Sequence, residues 1–277
     1  MAYADKTLYI TDLDGTLLRS DKTLSEYTVR EINARIERGM LFSAASARSL
    51  MGIYMVPVEA IHFPVPLVLM NGVLLYDLSG GRILESFSMT SSLVGSILEI
   101  CRGGGKEPFL YRIRDGKMEI SYRRVTSEGE RVFMEERRRQ FPGYFQQVER
   151  YDTAQEAVYF SMQDRREILE SLKEQILRLS GAQCVLYRDT YLPDNWYLEV
   201  YSSHAGKGNG LRRLKTLLGV KHVVAFGDNL NDLPLFEEAD VRCAVNNGAD
   251  ELKEQADILI ASNDEDGVAR YISKVFP

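Results

Sequence analysis

Two aspartates stand two positions apart in "LYITDLDGTLL", residues Leu8 to Leu18, where an apolar run stops at Asp12 and Asp14 and passes into Gly15-Thr16. On extended backbone, side chains two apart project to the same side, so both carboxylates are expected to converge at the carboxyl end of a first strand. Carboxylates that close repel each other, which favours a bound divalent cation or a raised pKa on one of them. Gly15 allows a sharp turn, and Thr16 supplies a hydroxyl that can tie it. Alone, such a pair also fits an ordinary acidic turn or a helix cap.

A second acidic cluster alters that balance. In "VVAFGDNLNDLPLF" another apolar run ends at Gly227-Asp228 and leads through Asn231 and Asp232 into a helix. Parallel strands would bring both acidic tips to one edge of a sheet, where ligands bind. Oxygen ligands of this kind suit Mg²⁺, which takes a few carboxylates, several waters and a substrate phosphate. Helix capping accounts for one of these polar residues but not for the cluster. Lys207, in "SSHAGKGNGL", opens a helix after a glycine, where its ammonium could balance a transferring phosphoryl group. Ser46, in "FSAASARS", ends a second strand, so its hydroxyl and the Ala47 amide could hold phosphate oxygens.

The elements that must position these residues follow from periodicity. Thr7–Ile10 suits a buried strand, and Ser25–Arg38 places Val29, Ile32 and Ile36 at helical spacing, with Gly39 as a stop. "MLFSAAS" and "PLVLMNG" read as further strands, and "GVLLYDL" with "GRILESF" as a hairpin. Strand and helix alternate again from Lys207 to the end, the pattern of a parallel sheet with crossover helices. Between these halves, "PFLYRIRDGKMEISYR" centres on Asp115-Gly116, a two-residue hairpin signal. The expected fold is α/β: a Rossmann-like parallel-sheet core built from residues 1–83 and 199–277, with an inserted α+β domain at 84–198.

Composition bounds the remaining possibilities. The 34 basic and 40 acidic side chains leave a net charge of -6, which argues against a nucleic-acid partner. Cys101, Cys184 and Cys243 are widely spaced without a zinc pattern, and they read as reduced thiols in a cytoplasmic protein. Neither a leader nor a membrane span is expected. "CRGGGKEPF" lacks the Ser/Thr of a P-loop and follows a helix instead of preceding one.

DLDGT, the Ser46 segment, Lys207 and GDNLND stand in the order and strand-end positions of the haloacid dehalogenase-like superfamily. The chain resembles its Cof-type phosphatases in particular, which carry a large α/β cap between the second and third motifs. The resemblance extends to "AVNNGADELKEQADILIASNDEDGVA" near the end. It implies that Asp12 is a nucleophile forming an aspartyl-phosphate. Asp14 would be the general acid and then base, which requires a protonated Asp14 in the first step. Asp228, the Asp12 carboxylate and the Asp14 backbone carbonyl would bind Mg²⁺. Lys207, Ser46, the Leu13 and Ala47 amides and Asn231 would hold the phosphoryl oxygens, while Asp232 would orient Lys207 or a metal-bound water. Thr16, Asn71 and Arg48 are expected in supporting roles. Ser46-Ala47-Arg48 departs from the family's Thr-Gly-Arg, keeping the hydroxyl but changing the glycine.

The implied activity is Mg²⁺-dependent hydrolysis of small phosphorylated metabolites, such as sugar phosphates, pyridoxal phosphate or flavin mononucleotide, by a monomer or homodimer. The cap would select the leaving group, with Tyr187, Arg188, Asp189, Tyr191 and Trp196 as candidate contacts. A sugar phosphomutase could share the Asp12 chemistry, and a phosphoacceptor signalling module could share the aspartate, metal and lysine.

Overall fold

The computed structural model describes residues 6–189, 192 and 194–276. The chain divides into two compact units, one built from both ends of the chain (up to Glu85 and from Ala205) and one running from Ser86 to His204. The first unit begins with β1 (Thr7–Thr11), α1 (Glu26–Glu37), β2 (Leu41–Ala44), α2 (Leu50–Ile53), β3 (Leu67–Leu69), β4 (Leu74–Asp77) and β5 (Arg82–Ser86). The second holds α3 (Ser91–Gly103), β6 (Phe109–Arg114), β7 (Lys117–Tyr122), α4 (Glu128–Gln140), β8 (Phe145–Gln147), β9 (Tyr159–Asp164), α5 (Arg166–Ile176), β10 (Ala182–Arg188) and β11 (Trp196–Ser202). The chain returns through α6 (Lys207–Leu218), β12 (His222–Gly227), α7 (Leu233–Glu237), β13 (Val241–Val245), α8 (Asp250–Lys253), β14 (Ile258–Ile260) and α9 (Gly267–Val275).

The first unit carries a five-stranded sheet of order β14-β13-β12-β1-β2, parallel throughout. Parallel strands are covered on both faces and so read as nearly continuous apolar runs. Accordingly Leu8–Thr11 and Val223–Gly227 are wholly buried. Leu8, Ile10, Val223 and Ala225 share a core with Leu211 and Leu214 of α6 and Leu235 and Phe236 of α7. The Ser25 hydroxyl caps α1 by accepting from the Thr28 amide (2.9 Å).

One expected strand of this sheet does not join it as a ladder. "PLVLMNG" forms β3, which pairs antiparallel with β4 in a separate three-stranded sheet and meets the parallel sheet through a single bridge, Ala45 to Val68. Met70 and Asn71 follow at φ +54° each, so the chain turns away before a longer ladder can form.

The second unit has a six-stranded sheet of order β10-β11-β9-β6-β7-β8. It is antiparallel except for β7 and β8, which run parallel. Asp115 and Gly116 take φ +51° and +73°, the left-handed pair that a two-residue hairpin needs. One face is covered by α3 and α5, whose Val94, Ile97, Leu98, Leu169, Leu172 and Ile176 pack with Leu110, Phe160, Met162, Leu198 and Val200. The boundary expected at 198/199 falls inside β11, whose seven-residue ladder with β10 carries the second unit on to His204. The glycine-rich stretch ends α3, and Lys106 beyond it is buried between Glu130 (2.9 Å) and Asp164 (3.0 Å).

The cysteines are free and buried, and among the described residues no helix is long and apolar enough to cross a membrane.

Candidate active site

The site grows from two neighbouring strand ends and one helix start. Strands β1 and β12 pair directly, and the Asp12 amide extends that pairing by donating to the Phe226 carbonyl (2.9 Å), so Asp12 and Asp228 leave the sheet side by side. Helix α6 begins at Lys207, immediately after Gly206. The Lys207 Nζ donates to Asp12 Oδ1 and to Asp232 Oδ1, both at 2.6 Å. All three side chains are buried, with Lys207 only 2% exposed. Asp232 Oδ2 accepts from the amides of Asp228 (3.0 Å) and Asn229 (3.1 Å). Both Asp232 oxygens are thereby engaged, and its role is to seat the lysine and the turn after β12.

Two close approaches fix this arrangement. Gly15 adopts φ +83°, and a Cβ there would overlap the Asp228 carboxylate, so only glycine lets the loop after Asp14 lie against Asp228. Gly72, at φ +86°, lies so close to Gly206 that a side chain would collide with its backbone. The turn after β3 therefore abuts the start of the lysine's helix.

The electrostatics are unbalanced. Burial pushes Asp12 well above the ordinary aspartate range; Lys207 opposes this, and Asp232 and Asp228 add to it. Lys207 lies at hydrogen-bond distance (2.6 Å), yet the upward direction remains, set first by burial and then by the neighbouring acids. Burial would lower Lys207, but Asp12 and Asp232 outweigh it and raise it. Asp228 is pushed up to about 6 by burial and then by Asp232. One oxygen from each of Asp12, Asp228 and Asp232 can be chosen so that all lie within 4.8 Å of one another. Three carboxylates against one ammonium leave two negative charges, which matches a divalent cation. Because Asp232 is fully engaged, Asp12 and Asp228 are the side chains with capacity for it. The donors are hard oxygens, the class that Mg²⁺ takes.

Several expected residues stand elsewhere than their spacing implied. Asp14 is not among the carboxylates that come within 4.8 Å of one another, although its charge acts on Asp228; β1 ends at Thr11, so strand alternation does not reach as far as Asp14. Its carboxylate is half exposed and held by Arg48, whose Nη2 and Nε donate at 2.6 and 2.7 Å. An acid role for Asp14 thus requires this pair to open. Arg48 also donates to the Gly52 carbonyl (3.0 Å). The Thr16 hydroxyl donates to Asp228 Oδ1 (3.2 Å), joining the two acidic motifs instead of tying its own turn.

Ser46 is buried just beyond β2; its hydroxyl accepts from the Arg48 amide (3.1 Å), and its carbonyl accepts from the Asn71 amide (3.1 Å). Ala47 is exposed at the same turn. The Leu13 side chain is buried, and its carbonyl closes the turn by accepting from the Thr16, Leu17 and Leu18 amides. Asn231 is exposed and outside the lysine cluster; the capping residue at that turn is Asn229. Among the second-unit candidates, Tyr187 donates to Glu199 (2.8 Å), Asp189 accepts from Asn195 (2.9 Å), Trp196 lies beneath the Arg166 guanidinium and Arg188 is exposed. Tyr191 lies outside the described residues.

Spacing gave no signal for Asn247, whose Nδ2 donates to the Gly15 carbonyl (2.8 Å), nor for Asn263, whose Nδ2 donates to the Leu18 carbonyl (3.0 Å). Both contacts join segments more than two hundred residues apart in sequence.

Residues 9–272 match the haloacid dehalogenase-like hydrolase family, and the chain belongs to it. Within that family it is a phosphatase of the Cof type, with a parallel-sheet unit interrupted by a large second unit that carries its own sheet. It is 31% identical to a Haemophilus influenzae protein described as a phosphatase, across 96% of this chain and 97% of the relative. It is 26% identical to the 5-amino-6-(5-phospho-D-ribitylamino)uracil phosphatase YitU of Bacillus subtilis (97% of each chain) and 27% identical to the pyridoxal phosphate phosphatase YbhA of Escherichia coli (94% and 95%). A crystal structure from Thermotoga maritima shares the fold at TM-score 0.77 and 24% identity, covering 98% of this chain and 97% of that one.

Proposed function

We propose that the protein hydrolyses phosphate monoesters of small metabolites through a phosphoryl group carried on Asp12, with Mg²⁺ as cofactor. The observation that carries this reading is the buried lysine shared by Asp12 and Asp232, beside a third carboxylate at the same sheet edge. Asp12 Oδ1 takes one hydrogen bond, from Lys207, and keeps a lone pair with which it could hold the cation, while Oδ2 takes no protein hydrogen bond among the described residues, leaving it available to attack. Attack by this oxygen on phosphorus forms the aspartyl-phosphate bond and breaks the ester bond to the leaving alcohol. Lys207 offsets the charge of the incoming phosphoryl group, since phosphoryl transfer depends mainly on in-line positioning and charge neutralisation.

Asp14, released from Arg48, would give its proton to the leaving oxygen. It would then take a proton from the water that attacks phosphorus, which frees inorganic phosphate and restores the Asp12 carboxylate. Ser46, with the Leu13 and Ala47 amides, would hold phosphoryl oxygens. Asp12, Asp228 and the Asp14 carbonyl would hold Mg²⁺, which when bound supplies charge neutralisation and orients the phosphoryl group.

YitU and YbhA, named for a phosphorylated ribitylaminouracil and for pyridoxal phosphate, support sugar-like or cofactor-like monoesters as the substrate class. Their names also favour hydrolysis over phosphoryl return to a sugar. Three free buried cysteines fit a reducing cytoplasm. The test is a panel of phosphorylated metabolites assayed for released phosphate with and without Mg²⁺. Release from several monoesters, abolished by chelation, is the expected result; no release from any of them would overturn the reading.

A further inference from the structure

The loop after Asp14 is clamped at both ends by carboxamides from the distant carboxyl-terminal segment. Asn247 donates through Nδ2 to the Gly15 carbonyl (2.8 Å) and accepts through Oδ1 from the Asn263 amide (2.9 Å). Asn263, only 4% exposed, donates through its own Nδ2 to the Leu18 carbonyl (3.0 Å). The Asn247 carboxamide therefore uses its donor and its acceptor at once, a bridge that a carboxylate or an apolar side chain cannot reproduce. Between the two anchor points, Gly15 presses against the Asp228 carboxylate and Thr16 donates to it (3.2 Å), so the clamped loop and Asp228 have no slack between them.

We infer that Asn247, backed by Asn263, is a positioning residue that holds the Gly15–Thr16 peptide, and with it the loop after Asp14, against Asp228 and thereby sets the affinity of the site for its divalent cation. The inference rests on the metal reading of the site given above. It assigns no contact with substrate to either asparagine. Partners that orient metal-binding groups from behind typically change metal affinity or activity by 10- to 100-fold when removed.

Metal-free protein is titrated with MgCl₂ while its thermal unfolding is followed, because a ligand that binds the folded state raises the midpoint in proportion to ln(1 + [L]/Kd). In Asn247→Ala and in Asn263→Ala, the Mg²⁺ concentration that produces a given upward shift should rise about tenfold or more. Turnover on a monoester should recover toward wild type once Mg²⁺ saturates. Asn246→Ala, which removes the exposed neighbouring carboxamide, should leave the titration unchanged. A lower midpoint with an unchanged Mg²⁺ response would show that the clamp only holds the fold, overturning the inference. A loss of turnover that saturating Mg²⁺ does not restore would also overturn it, since the loop would then position reacting groups and not the metal. No Mg²⁺ response in the wild-type protein would remove the metal reading itself and the inference with it.

Discussion

Each unit buries one lysine between two acids, and the difference between them separates chemistry from architecture. Lys106 is surrounded by completed partnerships. Its Nζ donates to the Gln163 carbonyl and to Asp164 (3.0 Å each) and pairs with Glu130 (2.9 Å). Glu130 in turn accepts from the Thr126 amide and hydroxyl (2.8 Å each), and Asp164 accepts from the Arg165 amide. This network ties the loop after α3 to the start of α4 and the end of β9. Lys207 is also flanked by two carboxylates, but a third, Asp228, stands beside them, and Asp12 Oδ2 is uncommitted. A closed network holds a fold, whereas surplus charge at a strand end is the pattern that the proposed function requires of a ligand site.

The comparison breaks most sharply by removing each ammonium. Lys207→Met should abolish turnover, with a loss on the order of 10³-fold or more, because Asp12 and the phosphoryl group lose their shared counter-charge. Lys106→Met should instead lower stability by about 3–5 kcal/mol, the usual consequence of stranding buried acids, while the folded fraction keeps its turnover. Denaturant unfolding and kcat measured on both variants check this, and equal loss of turnover in both would erase the distinction.

The next effect is on pH. Burial and the neighbouring Asp232 push Asp228 up to about 6, above the ordinary aspartate value, and a bound metal would need its ionised form. Mg²⁺ should therefore bind progressively more weakly as pH falls through about 6. The sign for stability is opposite: the metal-free folded state holds a proton that the unfolded chain has released, so its stability falls as pH rises from about 4 through about 6. Calorimetric Mg²⁺ titrations and melting midpoints across that range test both slopes.

A smaller effect concerns Arg48. Arg48→Ala frees Asp14 but removes the group that holds its carboxylate in place, so kcat should fall by about 10-fold, less than the 10²–10⁴-fold expected when acid–base assistance is lost altogether. A greater loss than in Asp14→Asn would show that Arg48 acts on more than Asp14.

Much of this was legible in the sequence, because buried parallel strands leave continuous apolar runs and their polar ends mark where ligands bind. Asp12, Asp228 and Asp232 were singled out by that logic, Lys207 by its place at a helix start after glycine, and the Asp115-Gly116 hairpin by its turn chemistry. That Asp14 stands outside that carboxylate cluster was not, since the end of β1 depends on where pairing stops and not on residue type. The parallel strand β8 escaped notice because Phe145 alone of its three residues is buried. Neither the Arg48–Asp14 pair nor the Asn247 bridge could be found from spacing, because each depends on loops that tertiary packing brings together.

The central claim is that Asp12 carries the phosphoryl group. Acid quenching of the enzyme during turnover of a phosphate-labelled monoester, followed by peptide mass analysis, tests it most directly. One phosphoryl group on the peptide containing Asp12, absent from Asp12→Asn along with turnover, is the expected result. Normal turnover in Asp12→Asn, or a phosphoryl group found on another residue, would contradict the account.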